Sequence, residues 1–126
     1  MQILSIVESA YRGTLEEQDD TVLWINHALR NNGASVSLLL RGNAVNYLAR
    51  GQDASGLAFG ERRLVHPPQP DESVAKLIAA GVPVYAVDED LVERGLASHP
   101  LVSGVERVRR SGLPELLERF EHVWHW

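Results

Sequence analysis

The sequence contains no cysteine. That absence excludes a disulfide framework, a thiolate metal site, a cysteine nucleophile and a persulfide carrier, because each requires a sulfur atom on the chain. Lysine is nearly missing as well: of the 12 basic residues only Lys76 is a lysine, and the formal charge is −5. The arginines are scattered rather than gathered into a stripe, so no nucleic-acid partner is expected. The densest basic stretch, Arg107 with Arg109 and Arg110, is followed by Glu115, Glu118 and Glu121 and reads as a solvated edge. Long apolar runs are also missing. None approaches the roughly 18 to 20 residues that span a bilayer, and the opening MQILSIVES lacks the basic start of a secretion signal. A cytoplasmic protein without membrane contact is expected.

What is present is the balance of one ordinary folded domain covering residues 1–126, with 44% hydrophobic and 23% charged residues. Ile3, Leu4, Ile6 and Val7 form a short apolar run suited to a strand buried on both faces. Asp19 or Asp20 can cap a helix carrying Val22, Ile25, Ala28 and Leu29 at helical spacing, with Gly33 as its stop. SVSLLL, from Ser35 to Leu40, returns to strand character, and Asn43 could cap a short helix bearing Asn46 and Tyr47. Between Gly51 and Pro70 the periodicity disappears, which predicts a long loop with a binding or assembly role. Asp71 precedes a further helix, VPVYAV is a strong strand, and Asp88 or Asp90 can cap the next short helix. A brief strand near Val105–Val108, a helix opened by Ser111 and Pro114, and a strand in HVWHW complete the pattern. Alternation of this kind predicts a three-layer, doubly wound α/β fold with a mostly parallel open sheet of about five strands and helices on both faces.

The run of SLLLRGNAVNYL, LIAAGVPVYAV, DEDLVERGL and GVERV, followed by a short strand, resembles the DsrE-like proteins, including the TusB, TusC and TusD subunits of bacterial sulfur relay. The resemblance covers nearly the whole chain. It implies the same α/β fold and assembly into trimers or hexamers, with itself or with a cysteine-bearing DsrE-like or sulfurtransferase partner. It also implies a sulfur-accepting cysteine at the end of the strand, eight positions before the glycine of the RG pair. Val87 stands at that place, and a valine has no nucleophile to carry sulfur. The function implied is a non-catalytic scaffold or binding subunit, and a thiol placed at Val87 is expected to be exposed.

Open α/β sheets bind ligands beyond the carboxyl ends of their strands. The candidate ligand-binding residues there are Glu8, Ser9 and Arg12, with Tyr11 beside them, after the first strand; Arg41, Asn43 and Asn46 after the second; and Asp88, with Glu89, after the third. Arg12 and Arg41 could hold a small anion with Asn46 orienting it, which leaves an anion-binding protein or a cysteine-independent enzyme as the alternative. Pairing of Arg41 with Glu8 or Asp88 is the blander and favoured expectation. The acids of LEEQDD are read as helix-start residues rather than metal ligands. A strand sends His122 and Trp124 to one face and His125 to the other, so no histidine pair is expected to bind metal. Neither RGNAVN nor GTLEEQ has phosphate-loop spacing, no nucleophile elbow is present, and no cofactor is expected.

Overall fold

The computed structural model describes residues 1–12 and 20–126. Asp19 as a cap and most of the LEEQDD run therefore lie outside the described residues. In chain order the elements are β1 (Gln2–Val7), α1 (Thr21–Asn31), β2 (Ser35–Leu40), a 3₁₀ segment (Gly42–Leu48), β3 (Ala58–Phe59), β4 (Arg62–Arg63), α2 (Pro70–Ala79), β5 (Val84–Val87), α3 (Asp88–Glu93), β6 (Glu106–Val108), a 3₁₀ turn (Arg110–Gly112), α4 (Leu113–Leu117) and β7 (His122–His125).

The main sheet has the order β6-β5-β2-β1-β7, with every pairing parallel. From β1 the chain steps outward through β2, β5 and β6, and then returns to the far side of β1 as β7. Right-handed crossovers in one direction place their helices on one face, and a reversal places the next helix on the other. The two apolar cores obey this rule. One joins Val7, Leu38, Leu40 and Ala86 to Val22 and Leu23 of α1, Val45 and Leu48 of the 3₁₀ segment, Val74 and Leu77 of α2, and Leu91 of α3. The other joins Leu4, Ile6, Leu39 and Val87 to Leu113 and Leu116 of α4. The expected α/β architecture is observed, with one face heavily covered and, among the described residues, one covered by the single short helix α4.

Local signals explain the elements and also where the expected caps move. Asp20 caps α1 as expected, its Oδ1 accepting from the Val22 and Leu23 amides at 3.0 Å. Asn43 does not cap a helix. The 3₁₀ segment starts at Gly42 behind Arg41 without a side-chain cap, and the Asn43 Oδ1 instead accepts from Arg94 Nε at 3.1 Å. Asp71 lies inside the first turn of α2, where Pro70 takes the start position and Gln69 precedes it. Its Oδ2 accepts the Gly51 amide at 3.1 Å, tying the helix to the preceding loop. Neither Asp88 nor Asp90 caps α3, since both lie within it and Val87 occupies the cap position. Within the predicted loop, Ala58–Phe59 pairs antiparallel with Arg62–Arg63 as a small exposed hairpin.

The second core is small, and α4 supplies Leu113 and Leu116 as its buried anchors. Leu116 is 3% exposed. Leu116→Ala is expected to destabilise the fold by about 2–5 kcal/mol, the usual cost of emptying such a position, read from urea unfolding followed by circular dichroism.

Candidate functional site at the carboxyl edge of the sheet

The loops beyond β1, β2, β5 and β6 carry most of the polar side chains singled out from the sequence, and the structure brings many of them together as pairs. Arg41 Nε lies 3.0 Å from Glu8 Oε1, while His125 Nε2 of β7 lies 3.2 Å from the other Glu8 oxygen. The pairing expected between Arg41 and Glu8 is therefore present, and the Arg41 guanidinium is already engaged by a carboxylate. Asn46 Nδ2 donates to the Asn43 carbonyl at 3.0 Å, closing the 3₁₀ segment on itself. Ser9 is exposed. Arg12 contributes its backbone amide to Asp20 Oδ2 at 3.3 Å. Arg12 and Arg41 thus belong to different clusters, one around Asp20 and one around Glu8.

A doubly wound sheet offers a ligand crevice between adjacent strands whose outgoing connections leave for opposite faces. Here those strands are β5, which feeds α3 on the first core, and β6, which feeds α4 on the second. Their carboxyl ends are laced together by charge. Arg107 Nε donates to Asp88 Oδ1 at 2.7 Å, the Arg110 amide is 3.0 Å from both Glu89 oxygens, and Arg110 Nη2 reaches Asp90 Oδ1 at 2.7 Å. Arg107 and Arg110, read from the sequence as a solvated edge, are exposed as that reading expects and pair with these acids at the surface.

Asp90 is the inner member of the cluster, only 7% exposed. Its second oxygen accepts the Gly42 amide at 2.8 Å. Gly42 has φ +56°, a conformation that side chains rarely adopt, and an added Cβ would come 3.7 Å from the Glu8 carbonyl oxygen. Burial works against the charged form of Asp90, but the Gly42 amide, the Arg110 hydrogen bond and the Arg110 and Arg94 charges outweigh it. The carboxyl stays below its ordinary range.

A second cluster was only partly legible in the sequence. Tyr47 is fully buried, and its hydroxyl donates to Asp20 Oδ2 while accepting the Tyr11 amide. Burial, then the hydrogen bond to Asp20 and the charge of that carboxylate, push the Tyr47 hydroxyl well above its ordinary range. Tyr11 has φ +60°, alone among the described non-glycine residues in being positive, and its ring meets Tyr47 edge-on at 5.4 Å. The Tyr11 hydroxyl donates to Gln52 Oε1 at 3.1 Å, and Gln52 Nε2 in turn reaches the Asn46, Tyr47 and Ala49 carbonyls. Small cavities of about 80 and 200 Å³ border this cluster, sharing Tyr11, Pro68 and Pro70. The cluster anchors the loop after β1 to the 3₁₀ segment. Tyr47 and Gln52 escaped sequence reasoning because a tyrosine and a glutamine without motif spacing signal nothing until the fold sets them beside Asp20 and Tyr11.

A larger groove, about 440 Å³, lies at the opposite, amino end of the strands, with Arg30, Ser37, Tyr85, Arg119 and Phe120 among its walls. Arg30 lies in the last turn of α1 and Arg119 just beyond α4. Both therefore complement the negative ends of their helices. Among the described residues, no group of three or more His, Asp or Glu side chains is placed to hold a metal ion, and no helix is long and apolar enough to cross a membrane.

No family model and no curated protein matches the chain. Among solved structures, the ychN protein from E. coli is similar over the full length of both chains, with 26% identity and a TM-score of 0.75. A conserved protein of unknown function from Bacteroides thetaiotaomicron is 15% identical with a TM-score of 0.67, covering 99% of this chain and 95% of its own. One of unknown function from Methanobacterium thermoautotrophicum is 21% identical with a TM-score of 0.58, covering 97% and 96%. These last two likenesses are of fold alone.

Against that shared fold, Val87 corrects one expectation. It is 1% exposed, on the sheet face beneath α4 with Leu39 and Leu113. A side chain there is shielded within the subunit, because the last residue of β5 points into the second core while its successor, Asp88, turns out toward Arg107. A thiol at this place would be buried rather than presented.

The depressed Asp90 carboxyl makes a signed pH prediction. Its pKa is lowered in the fold, so its stabilising contribution is present above the unfolded value of about 3.9. That contribution is lost as pH falls through the lower folded value. Asp90→Asn removes this dependence, so the variant is expected to be less stable at pH 7 but to lose less further stability on acidification than the parent. Urea midpoints measured between pH 7 and pH 3 check this; parallel acid limbs for the two proteins would contradict it.

Proposed function

We propose that this protein is a non-catalytic assembly and binding subunit of the DsrE-like sulfur-relay type, acting as an oligomer beside chains that carry the reactive thiol. The observation that carries the reading is the ion-paired crevice between β5 and β6. The place where an open α/β sheet receives a small ligand is occupied here by Asp88, Glu89 and Asp90 held against Arg107 and Arg110. Glu8 and Arg41 likewise satisfy each other. Side chains that spend their hydrogen-bonding capacity on one another have little to offer a substrate. With no cysteine in the sequence, the chain has no sulfur-accepting group.

The remaining resource of the molecule is surface. Trp24 is 60% exposed on α1, Trp124 38% and Val123 46% on β7, and the hairpin presents Phe59 at 59%. Scattered singly, such side chains are ordinary on a protein surface; only Val123 and Trp124 are neighbours, on the one strand β7, and these two supply the apolar surface that the assembly reading uses. The sulfur link rests on the sequence resemblance. Burial of Val87 separates the two parts of the proposal: the assembly role is independent of that position, and sulfur transfer through it is not part of the reading.

Light scattering on the purified protein tests the proposal. At micromolar concentration the mass is expected to be a multiple of the 14.0 kDa chain mass. A strict monomer over that range would overturn the assembly role and leave the anion-binding alternative as the better account.

A further inference from the structure

The two edges of the main sheet are built differently. At β6 the outer strand reads Glu106–Val108 and continues into Arg109 and Arg110, and its side chains are engaged with the acids of α3. Charge of this kind protects an edge from pairing with another strand. At β7 the strand reads HVWH and runs on into Trp126, with no Lys, Arg, Asp, Glu, Pro or Gly from 122 to 126. All four residues of β7 are exposed, so neither α1 nor α4 overhangs them.

The register says which backbone groups lie open. The Trp126 amide donates to the Ile6 carbonyl at 2.9 Å, and the Trp126 carbonyl accepts from the Glu8 amide at 3.2 Å. In a parallel ladder alternate residues of a strand face the same neighbour. Trp124 therefore also faces β1, beside Ser5, and the N–H and C=O groups of Val123 and His125 face outward.

We propose that β7 pairs antiparallel with β7 of a second copy of this chain, about a two-fold axis at Trp124, joining two five-stranded sheets into one. This rests on the assembly reading above and names its partner and surface. Under this axis Val123 meets His125 of the partner subunit twice, and each pair exchanges both of its outward hydrogen bonds. Trp124 meets its own counterpart as a non-hydrogen-bonded pair, in which Cα atoms approach to about 4.5 Å. The two indoles then lie together on the side of the sheet that holds the first core, a contact aromatic pairs favour. One-residue shifts of register would set outward groups opposite inward ones, and two-residue shifts would leave part of the HVWHW segment unpaired. The symmetry closes the contact, so two copies suffice to satisfy the edge.

A cysteine-free chain makes the test direct. Trp124→Cys places the only thiol at the axis, within the Cα separations that a disulfide accepts. Mild oxidation is expected to give a covalent dimer on a non-reducing gel, whereas Val92→Cys, 56% exposed on α3 beside the opposite edge, gives at least tenfold less in the same time. Val123→Pro removes an outward amide and none that faces β1, so it is expected to leave the circular dichroism spectrum unchanged and to abolish the two-fold contact in light scattering. Equal cross-linking at the two positions, or a mass unaltered by a folded Val123→Pro protein, would overturn the pairing. If the parent still assembles in that event, the subunit reading survives and another face is responsible; if the parent is monomeric, both fall. Should Val123→Pro fail to fold, the cross-linking comparison alone decides.

Discussion

The return of the chain from β6 to β7 is the constraint on which the rest of this structure depends. Up to β6 the winding is uniform, and each crossover lays its helical segment over the same face of the sheet. A single reversal then carries the chain across the other face and docks β7 beside β1. Among the described residues α4 is the helix that covers that second face, so Leu4, Ile6, Leu39 and Val87 share Leu113 and Leu116 as their main cover. The same reversal makes β7 an edge strand. The hidden Val87 and the open HVWHW edge are two consequences of one topological step.

That step also sets β5 and β6 side by side with connections leaving for opposite faces, the arrangement that opens a ligand crevice in other sheets of this kind. In this chain the carboxyl ends of the two strands are bridged by short-range ion pairs. Asp90 is central to it, since one oxygen receives the Gly42 amide from the loop after β2 and the other the guanidinium of Arg110 from the loop after β6. The donors around this carboxylate together outweigh the cost of burying it, and they tie three connections at one point. The outer pairs, Arg107 with Asp88 and Arg41 with Glu8, are more exposed and add order rather than much stability. The result is a sheet edge at which Glu8, Arg41, Asp88, Glu89, Asp90, Arg107 and Arg110 are engaged with one another.

Much of the fold was legible in the sequence because hydrophobic periodicity and caps are local. The apolar runs at β1, β2 and β5, the Asp20 cap and the alternation of His122, Trp124 and His125 all read correctly. The side chains assigned as caps at Asn43 and at Asp88 or Asp90 did not, since they are spent on Arg94, Arg107, Gly42 and Arg110, partners far away in sequence. Capping preference is a local prior, and a tertiary hydrogen bond to a backbone amide or a charge outweighs it. Val87 misled for a related reason: the end of a strand is legible, but which layer covers it depends on the later course of the chain. Pairing of Glu8 with Arg41 was foreseeable from charge alone, whereas the Tyr11–Tyr47–Asp20 arrangement needed the loops to be brought together first.

The proposed pairing of β7 with a second copy makes a specific claim about backbone groups on that edge. Hydrogen exchange of individual backbone amides, measured as protein concentration is raised, reaches that claim most directly. The Trp124 and Trp126 amides, bonded within the subunit, are expected to be protected at every concentration. Those of Val123 and His125 are expected to exchange freely in dilute protein and to become protected as it associates. Free exchange at Val123 and His125 in the fully assembled protein would contradict a β7 contact.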